Sequence, residues 1–286
     1  MTELRRRMDE DMLVRGMADR TRESYLWAVT GLATFYHRSP DQLSDGEVQA
    51  YLLHLIRDRK RAWNTCHLVV HGLRFFYHTT LKRDRTTFSI PTPRQAGRLP
   101  AILSRDEVHR LIAHATKPKQ RTMLMTTYAA GLRLSEVLHL QIRHIDSARM
   151  AIRVEQGKGG KDRDTLLPPR LLETLRAYWT VHRPTGWLFP GKDPSRPMDP
   201  SSLQKASHTA TRRAGIRKSG GIHALRHAFA THLLEAGVDV HTIQRLMGHR
   251  SITTTMRYWH LTHASLTTQA ARLDLLADPP PVSPAV

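Results

Sequence analysis

The chain has 286 residues, of which 44 are lysine or arginine and 25 are aspartate or glutamate, a formal net charge of +19. That excess predicts nucleic acid as the partner ahead of an anionic membrane surface, since no apolar run reaches the roughly 18 residues of a membrane-spanning helix. The opening MTELRRRMDE lacks the apolar core of a signal peptide, and a single cysteine, Cys66, excludes an intrachain disulfide, so we expect a reduced, cytoplasmic compartment.

Residues 1–82 are predicted to form a helical, DNA-binding domain. Apolar residues recur at helical spacing in three runs, around Leu32, around Leu52 and around Leu73. The second run opens with a capping box from Ser44 to Glu47. A basic run is often only a solvated helix face, but few acidic residues oppose this one, which favours contact with phosphate. The predicted DNA-binding residues here are Arg57, Arg59, Lys60, Arg61 and Arg74.

Helical periodicity stops after the third run. The stretch 81–99 holds two prolines, one glycine and five basic residues, so we predict an extended basic linker at 83–98. It separates the first domain from a second at 99–277, which is followed by a proline-rich, disordered tail at 278–286. A basic linker between two basic domains suits a two-domain clamp around a duplex.

The second domain is predicted to combine helices with a small sheet. A capping box from Ser104 to Glu107 opens its first helix, and Gly131 breaks a helical pattern that runs to about Ala130. The β-forming stretches ARMAIRVEQ and DRDTLLP flank the turn-rich GKGGK, which predicts a hairpin. Helices follow at 169–182, from 199, and over GIHALRHAFATHLLEAG. The predicted fold class is therefore mainly α with a small antiparallel β-sheet.

Histidines are the remaining candidates for a metal site, because one cysteine cannot build a cysteine-based zinc site. His223 and His227 stand four residues apart, on one face of their helix. Neither an HExxH motif nor a set of acidic ligands surrounds them. We therefore predict that the protein binds no metal and no other cofactor.

The stretch LMGHRSITTTMRYWH ends in a short predicted helix that carries a tyrosine. Ser251 is a candidate N-cap, and Ile252, Met256 and Trp259 recur at the spacing of one buried face. Tyr258 lies off that stripe, so we expect its phenol to point outward. Considered alone, this pattern indicates only a surface tyrosine.

Five elements of the second domain carry polar residues that form one ordered set. Each has an ordinary explanation by itself, and GKGGK could be either a phosphate-binding loop or a tight turn. The set in chain order is Arg133, Lys158, His223, Arg226, His249 and Tyr258.

Together these residues resemble the signature of the tyrosine recombinase (phage integrase) family, which is Arg, Lys, His-x-x-Arg, His and Tyr in that order. The resemblance covers nearly the whole chain, because the N-terminal helices are similar to the family's SAM-like core-binding domain. Within the family, the amino-acid sequence looks most similar to integron integrases and to recombinases of mobile elements. Only 65 positions separate Lys158 from His223, which leaves little room for the insert that integron integrases carry.

The resemblance implies a site-specific recombinase that cuts and rejoins DNA without ATP. Tyr258 is the expected nucleophile, and the family's polarity predicts a 3′-phosphotyrosine. With an ordinary pKa near 10, only about one tyrosine in a thousand is ionised at neutral pH, so a base is needed. His223 is the candidate base, and Lys158 is the candidate general acid for the leaving oxygen.

The remaining residues of the set are expected to act on the phosphate. Arg133 and Arg226 are the candidates to bind its two non-bridging oxygens, where negative charge rises in the transition state. Glu136, one turn after Arg133, is expected to orient that guanidinium, and His249 to donate a hydrogen bond to the phosphate. Further predicted DNA contacts, near the hairpin tip, are Lys161 and Arg163.

The expected partner is double-stranded DNA with inverted half-sites. Because each chain has one nucleophile and strand exchange needs four cleavages, we expect a homodimer on each site and a homotetramer in the synapse. Segment 264–276 is a candidate connector that packs either on a neighbouring protomer or back on its own domain. Two alternatives use the same fold: a type IB topoisomerase that relaxes DNA, and a catalytically silent DNA-binding protein.

Overall fold

A computed structural model of the chain describes residues 2–84, 101–155, 162–218 and 220–259, without the side chains of Arg257 and Trp259. The chain divides into two compact units, Met1–Gly97 and Arg98–Val286. Within the described ranges, no helix has both the length and the apolar character that crossing a membrane requires. Several predictions concern segments outside the described residues and stay predictions: most of linker 83–98, Lys158, Lys161, segment 264–276 and tail 278–286.

The described part of the first unit is helical. Its helices are α1 (Glu3–Val14), α2 (Asp19–Tyr36), α3 (Asp45–Arg57) and α4 (Trp63–Phe75), the last followed by a π-helical turn at Phe76–Thr80. The three predicted apolar runs are confirmed as α2, α3 and α4, and so is the Ser44–Glu47 capping box. Helix α1 was not predicted; its Met8 and Met12, one turn apart, are buried in the core of this unit.

The sequence had suggested that the basic residues of this unit lie on helix faces, but only some of them do. Arg57 ends α3, whereas Arg59, Lys60 and Arg61 lie in the loop before α4, and all four are exposed. The loop turns at Lys60, whose φ is +44°. Arg74 is half-buried on α4.

The described part of the second unit is mainly helical. Its helices are α5 (Arg105–Ala113), α6 (Pro118–Ala129), α7 (Leu134–Leu138), α8 (Pro169–His182), α9 (Pro200–Arg213), α10 (Gly221–Glu235), α11 (Val240–Met247) and α12 (Ile252–Trp259). The predicted capping box at Ser104 and Glu107 is confirmed, and the helix predicted from residue 199 is α9, with Asp199 as its N-cap.

A three-stranded antiparallel sheet completes this unit. Its strands are β1 (Ile145–Asp146), β2 (Ala151–Val154) and β3 (Arg163–Leu166), in the order β1-β2-β3. The predicted hairpin is confirmed as the β2–β3 pair, in which Val154 lies opposite Arg163. Because β3 begins at Arg163, this arginine follows the GKGGK stretch by two residues in the chain.

Helix α10 organises the second unit. It packs against α6, α9, α11 and α12 and is buried on nearly all sides, so its polar residues must find partners inside the protein. Phe229 of α10 approaches the backbone where α6 ends, at Gly131. A Cβ on Gly131 would lie 2.3 Å from Cδ1 of the Phe229 ring, and the glycine has a φ of +62°. Close approach and left-handed backbone both require glycine here.

Gly131→Ala should destabilise the second unit by about 2 kcal/mol, because it adds left-handed strain and a collision with a buried ring. The measurement is the urea midpoint of the full chain at pH 7. Gly186→Ala is the control, since a Cβ there meets nothing within 4 Å, and it should change stability by less than about 0.5 kcal/mol. Equal effects of the two substitutions would contradict the packing argument.

Candidate active site

Glu136 lies at the centre of a cluster of arginines. Its carboxylate, on α7, has 5% of its side-chain area exposed and accepts hydrogen bonds from Arg133 Nη1 at 2.7 Å and from the Arg133 backbone N–H at 2.8 Å. Arg163 donates to both of its oxygens, at 2.8 and 2.7 Å. Arg226 Nη1 lies 3.7 Å from Oε2. One carboxylate therefore holds guanidiniums from three different elements.

The same three arginines donate to successive backbone carbonyls at the end of α11. Arg163 Nε binds the Leu246 carbonyl at 2.8 Å, Arg133 Nη2 binds that of Gly248 at 3.1 Å, and Arg226 Nη2 binds the intervening carbonyl, of Met247. These carbonyls have no partner within a helix, and they carry the negative end of its dipole. The arginines thus fix the position of the chain immediately before His249.

The charges of the cluster do not cancel, since three guanidiniums face one described carboxylate. Burial alone would raise the pKa of Glu136, but the hydrogen bonds and charge of Arg163, with those of Arg133, outweigh it and lower the pKa to about 2. Burial and then the charge of Arg133 lower the pKa of Arg226 to about 9, which still leaves this guanidinium protonated at neutral pH. The cluster therefore has a net positive charge that an anion would neutralise.

Arg163, which the sequence predicts to contact DNA, is turned inward and pairs with Glu136. Only 9% of its side chain is exposed, and three of its N–H groups are used by Glu136 and Leu246. Strand alternation is the signal that sequence reasoning overlooked, because Arg163 shares a strand face with the buried Thr165.

Tyr258 is buried, so the expectation that its phenol points outward was wrong. The residue is 5% exposed, whereas Met256, predicted to be in the buried stripe, is 38% exposed. The described face of α12 that turns inward carries Thr255 and Tyr258. An apolar pattern could not identify this face, because its inner residues are polar and are matched by histidines from other elements. The predicted capping by Ser251 is supported, since its hydroxyl accepts from the Thr253 N–H at 3.2 Å.

Two histidines contact the Tyr258 side chain. The ring of His249 stacks on the phenol, with centroids 6.3 Å apart and planes at 14°, and its Nδ1 lies 2.8 Å from the Thr255 hydroxyl. His227, on α10, has Nδ1 2.8 Å from the Tyr258 hydroxyl oxygen. Burial, and then the charges of Arg226 and other neighbours, lower the pKa of His249 to about 4. His249 is therefore neutral at pH 7, and in the tautomer in which Nδ1 accepts from the Thr255 hydroxyl the ring carries its proton on Nε2.

His223 begins the same face of α10, one turn before His227. The residue is exposed, yet desolvation of part of its ring, followed by the charges of Arg226 and Arg133, lowers its pKa. Of the six residues in the ordered set, the structure brings five together around α10 and the end of α11, and the sixth, Lys158, lies outside the described residues.

Sequence reasoning missed two residues of this site. His227 was considered only as a metal ligand with His223, although its position four residues later predicts that both face the same neighbours. Thr255 lies one turn before Tyr258 and orients His249; its only sequence signal is that i, i+3 spacing.

Comparisons with known proteins follow the same division of the chain. The model of the phage integrase family matches residues 101–265, and that of the phage integrase N-terminal SAM-like domain matches residues 4–87. The chain is 43% identical, over 99% of its length and 92% of the relative, to a Sinorhizobium fredii (strain NGR234) protein designated integrase/recombinase y4qK. It is 35% identical to the tyrosine recombinase XerA of Thermococcus onnurineus, over 72% of this chain and 74% of the relative.

A solved structure supports the fold. A lambda integrase tetramer bound to a Holliday junction matches with a TM-score of 0.73 at 17% identity, covering 88% of this chain and 75% of that one. At this identity the match is evidence for the fold alone.

Glu136→Gln should destabilise the full chain by about 3 kcal/mol at pH 7, because it leaves buried guanidiniums without their carboxylate. The lowered pKa of Glu136 gives the pH dependence: its contribution is complete above about pH 5 and is lost as pH falls towards 2. The difference in urea midpoint between wild type and variant should therefore shrink over that range. Glu173→Gln, on the exposed side of α8, is the control and should show no such difference; a pH-independent effect of Glu136→Gln would contradict the ion-pair explanation.

Proposed function

Because the chain belongs to the phage integrase family, the tyrosine recombinases, we propose that Tyr258 is the nucleophile with which it cuts and rejoins DNA. The enzyme is a tyrosine site-specific recombinase, and its partner is DNA. The main observation in support of this nucleophile is the position of the Tyr258 side chain. It lies beside a buried cluster in which three guanidiniums face one described carboxylate. A phosphodiester is the anion that such a cluster would receive.

In the proposed reaction the phenol oxygen of Tyr258 attacks the phosphorus of one strand. A bond forms between that oxygen and phosphorus, and the bond to the 5′ oxygen breaks, which leaves a 3′-phosphotyrosine. Lys158 gives a proton to the leaving oxygen, a contribution worth about 10²- to 10⁴-fold in rate. The phosphodiester bond energy is kept in the adduct, so a 5′ hydroxyl can reverse the step on a new strand without ATP.

The positive cluster would stabilise the transition state. Arg133 and Arg226 bind the non-bridging oxygens, and Nε2 of His249 donates a further hydrogen bond. The guanidiniums are already held by Glu136 and by backbone carbonyls, so little reorganisation is needed when charge develops. His223, at the exposed start of α10, is positioned at the rim of the same site, where a substrate phosphate can approach it.

Affinity for the duplex would come mainly from exposed basic residues. The loop between α3 and α4 supplies Arg59, Lys60 and Arg61, next to Arg57, and Lys161 and Arg74 are further candidates. Such contacts hold the phosphate backbone without reading sequence. Two basic units joined by a basic linker support a clamp around the duplex. A DNA substrate and a reduced cysteine support a cytoplasmic location.

The same reasoning supports assembly as a dimer on each recombination site and a tetramer in the synapse. Each chain supplies one Tyr258, and exchange between two duplexes requires four cleavages. The related fold of lambda integrase has been solved as a tetramer on a Holliday junction. The relatives designated recombinases also favour strand exchange over the topoisomerase alternative.

Tyr258→Phe should abolish the covalent protein–DNA adduct, because phenylalanine has no oxygen to attack phosphorus. Affinity for a half-site should stay within about twofold, since one hydroxyl is a small part of a many-phosphate interface. The measurement uses a nicked suicide substrate and denaturing electrophoresis, with Tyr128→Phe as the control that keeps the adduct. An adduct with the Tyr258→Phe protein would refute the assignment of the nucleophile.

Assembly is tested by gel shift at one fixed salt concentration, since affinity for DNA depends steeply on salt. A DNA with two inverted half-sites should fill cooperatively, and Tyr258→Phe should do so as well as wild type. Synapsis should then give a complex with four chains and two duplexes by light scattering. Independent filling of the half-sites, or strand exchange by a complex with only two chains, would contradict the proposed assembly.

A further inference from the structure

The hydroxyl of Tyr258 is hydrogen-bonded to a residue that the six-residue set does not include. Its oxygen lies 2.8 Å from Nδ1 of His227. We propose that His227 is a further catalytic residue, which accepts the proton of Tyr258 as the tyrosine oxygen attacks phosphorus. The inference rests on the proposed function, because it takes Tyr258 as the nucleophile.

Helix packing and a second histidine hold the partners of this contact in place. Helix α10 packs against α12, and His227 follows Arg226 directly, so one turn of α10 supplies both a phosphate-binding group and the partner of the hydroxyl. His249 also stacks on the phenol ring, and its Nδ1 is hydrogen-bonded to Thr255 of α12. Held between these contacts, the hydroxyl of Tyr258 points to the edge of the His227 ring.

His227 has the position for proton transfer that the sequence had given to His223. Proton transfer requires a separation of about 2.6–3.2 Å between the heavy atoms, and Nδ1 of His227 meets this distance from the Tyr258 oxygen. His223 lies one turn earlier, at the exposed start of α10. That position suits a hydrogen bond to a phosphate oxygen, which leaves the phenol proton to His227.

The charge state of His227 fits a proton acceptor. The groups that face its ring are His223 and Arg226 on α10, Tyr258 on α12 and His249. Burial, and then the charges of His223 and Arg226, lower the pKa of His227. The ring is therefore neutral at pH 7, and the tautomer with its proton on Nε2 has a free electron pair on Nδ1 for the tyrosine proton.

The step balances without any further reactant. As the bond between the Tyr258 oxygen and phosphorus forms, the phenol proton moves to Nδ1 of His227. The bond between phosphorus and the 5′ oxygen breaks, and that oxygen takes the proton that Lys158 supplies. Rejoining runs the same transfers backwards: the attacking 5′ hydroxyl returns its proton to Lys158, and protonated His227 returns the other to the departing tyrosine.

A second histidine of α10, His232, is paired with a tyrosine of α6 and provides an internal comparison. Nδ1 of His232 lies 2.9 Å from the hydroxyl oxygen of Tyr128, so the hydrogen-bond distance is nearly the same. Burial raises the pKa of Tyr128, and the charged groups that act on it are Arg105 and Glu235 rather than the arginines around Glu136. We interpret the His232 pair as structural, which makes it a matched control for the role of His227.

The test is His227→Asn, in single-turnover cleavage of a suicide substrate at saturating enzyme. The asparagine amide can occupy the place of Nδ1 and keep a hydrogen bond to the phenol, but it cannot take its proton. The rate should fall by about 10²- to 10⁴-fold. The wild-type rate should be flat from about pH 7 to about pH 8, below the pKa of about 9 of Arg226, whereas the variant's rate should rise about tenfold over that pH unit, because prior ionisation of the phenol replaces the base.

A substrate with sulfur in place of the 5′ bridging oxygen distinguishes the role of the base from that of the acid. A thiolate leaves without a proton, so the defect of Lys158→Ala should shrink with this substrate. The defect of His227→Asn should remain, because the phenol still has to lose its proton. Rescue of His227→Asn to the same extent as Lys158→Ala would overturn the assignment.

The controls make each outcome decisive. His232→Asn should keep both the rate and the flat pH profile of wild type. A wild-type rate and profile for His227→Asn would overturn the inference, and so would hydroxide-dependent cleavage by His223→Asn alone. If His227→Asn fails to bind a half-site, His227→Gln replaces it; failure of both to fold would make the contact structural and also overturn the inference. An adduct formed by Tyr258→Phe would instead refute the proposed function.

Discussion

The arrangement of this site depends on the interaction of one buried carboxylate with three guanidiniums. Glu136 accepts from Arg133 and Arg163 and lies within ion-pair distance of Arg226. In the low dielectric of the interior, three like charges at this separation would repel one another strongly. The carboxylate offsets part of that repulsion, and the carbonyls at the end of α11 offset more. What remains is a net positive charge at a fixed position, which is the condition for binding a phosphate with little rearrangement.

The position of the nucleophile follows from the same interaction. The arginines hold three successive carbonyls, up to that of Gly248, and the next residue is His249, which stacks on Tyr258. A glycine is needed at position 248, since its φ is +60° and a Cβ would lie 2.8 Å from Cδ of Arg163. Substitutions that disturb Glu136 are therefore expected to change the position of Tyr258 indirectly, through the backbone before His249, although Glu136 does not contact the tyrosine.

Helix α10 explains why histidine is used so often near the tyrosine. It is buried on nearly all sides, and burying a polar side chain there costs free energy unless the side chain is hydrogen-bonded. Histidine can accept through one nitrogen and donate through the other, and burial keeps it neutral at pH 7. Two phenols, Tyr128 and Tyr258, are each matched by a histidine of this helix. Only the pair beside the arginine cluster has the surroundings for chemistry on a phosphate.

The amino-acid sequence by itself determined the class of the fold, the ordered set from Arg133 to Tyr258, and the polyanionic partner, because helical periodicity, turn residues and net charge are local or additive properties. It also predicted the capping boxes and the β2–β3 hairpin. Only the tertiary structure decided which face of α12 is inside, that Arg163 binds Glu136, and that His227 rather than His223 contacts the tyrosine hydroxyl. These outcomes depend on polar partners from distant elements, α10 with α12 and β3 with α7, and polar matching across such distances leaves no periodic pattern in the chain.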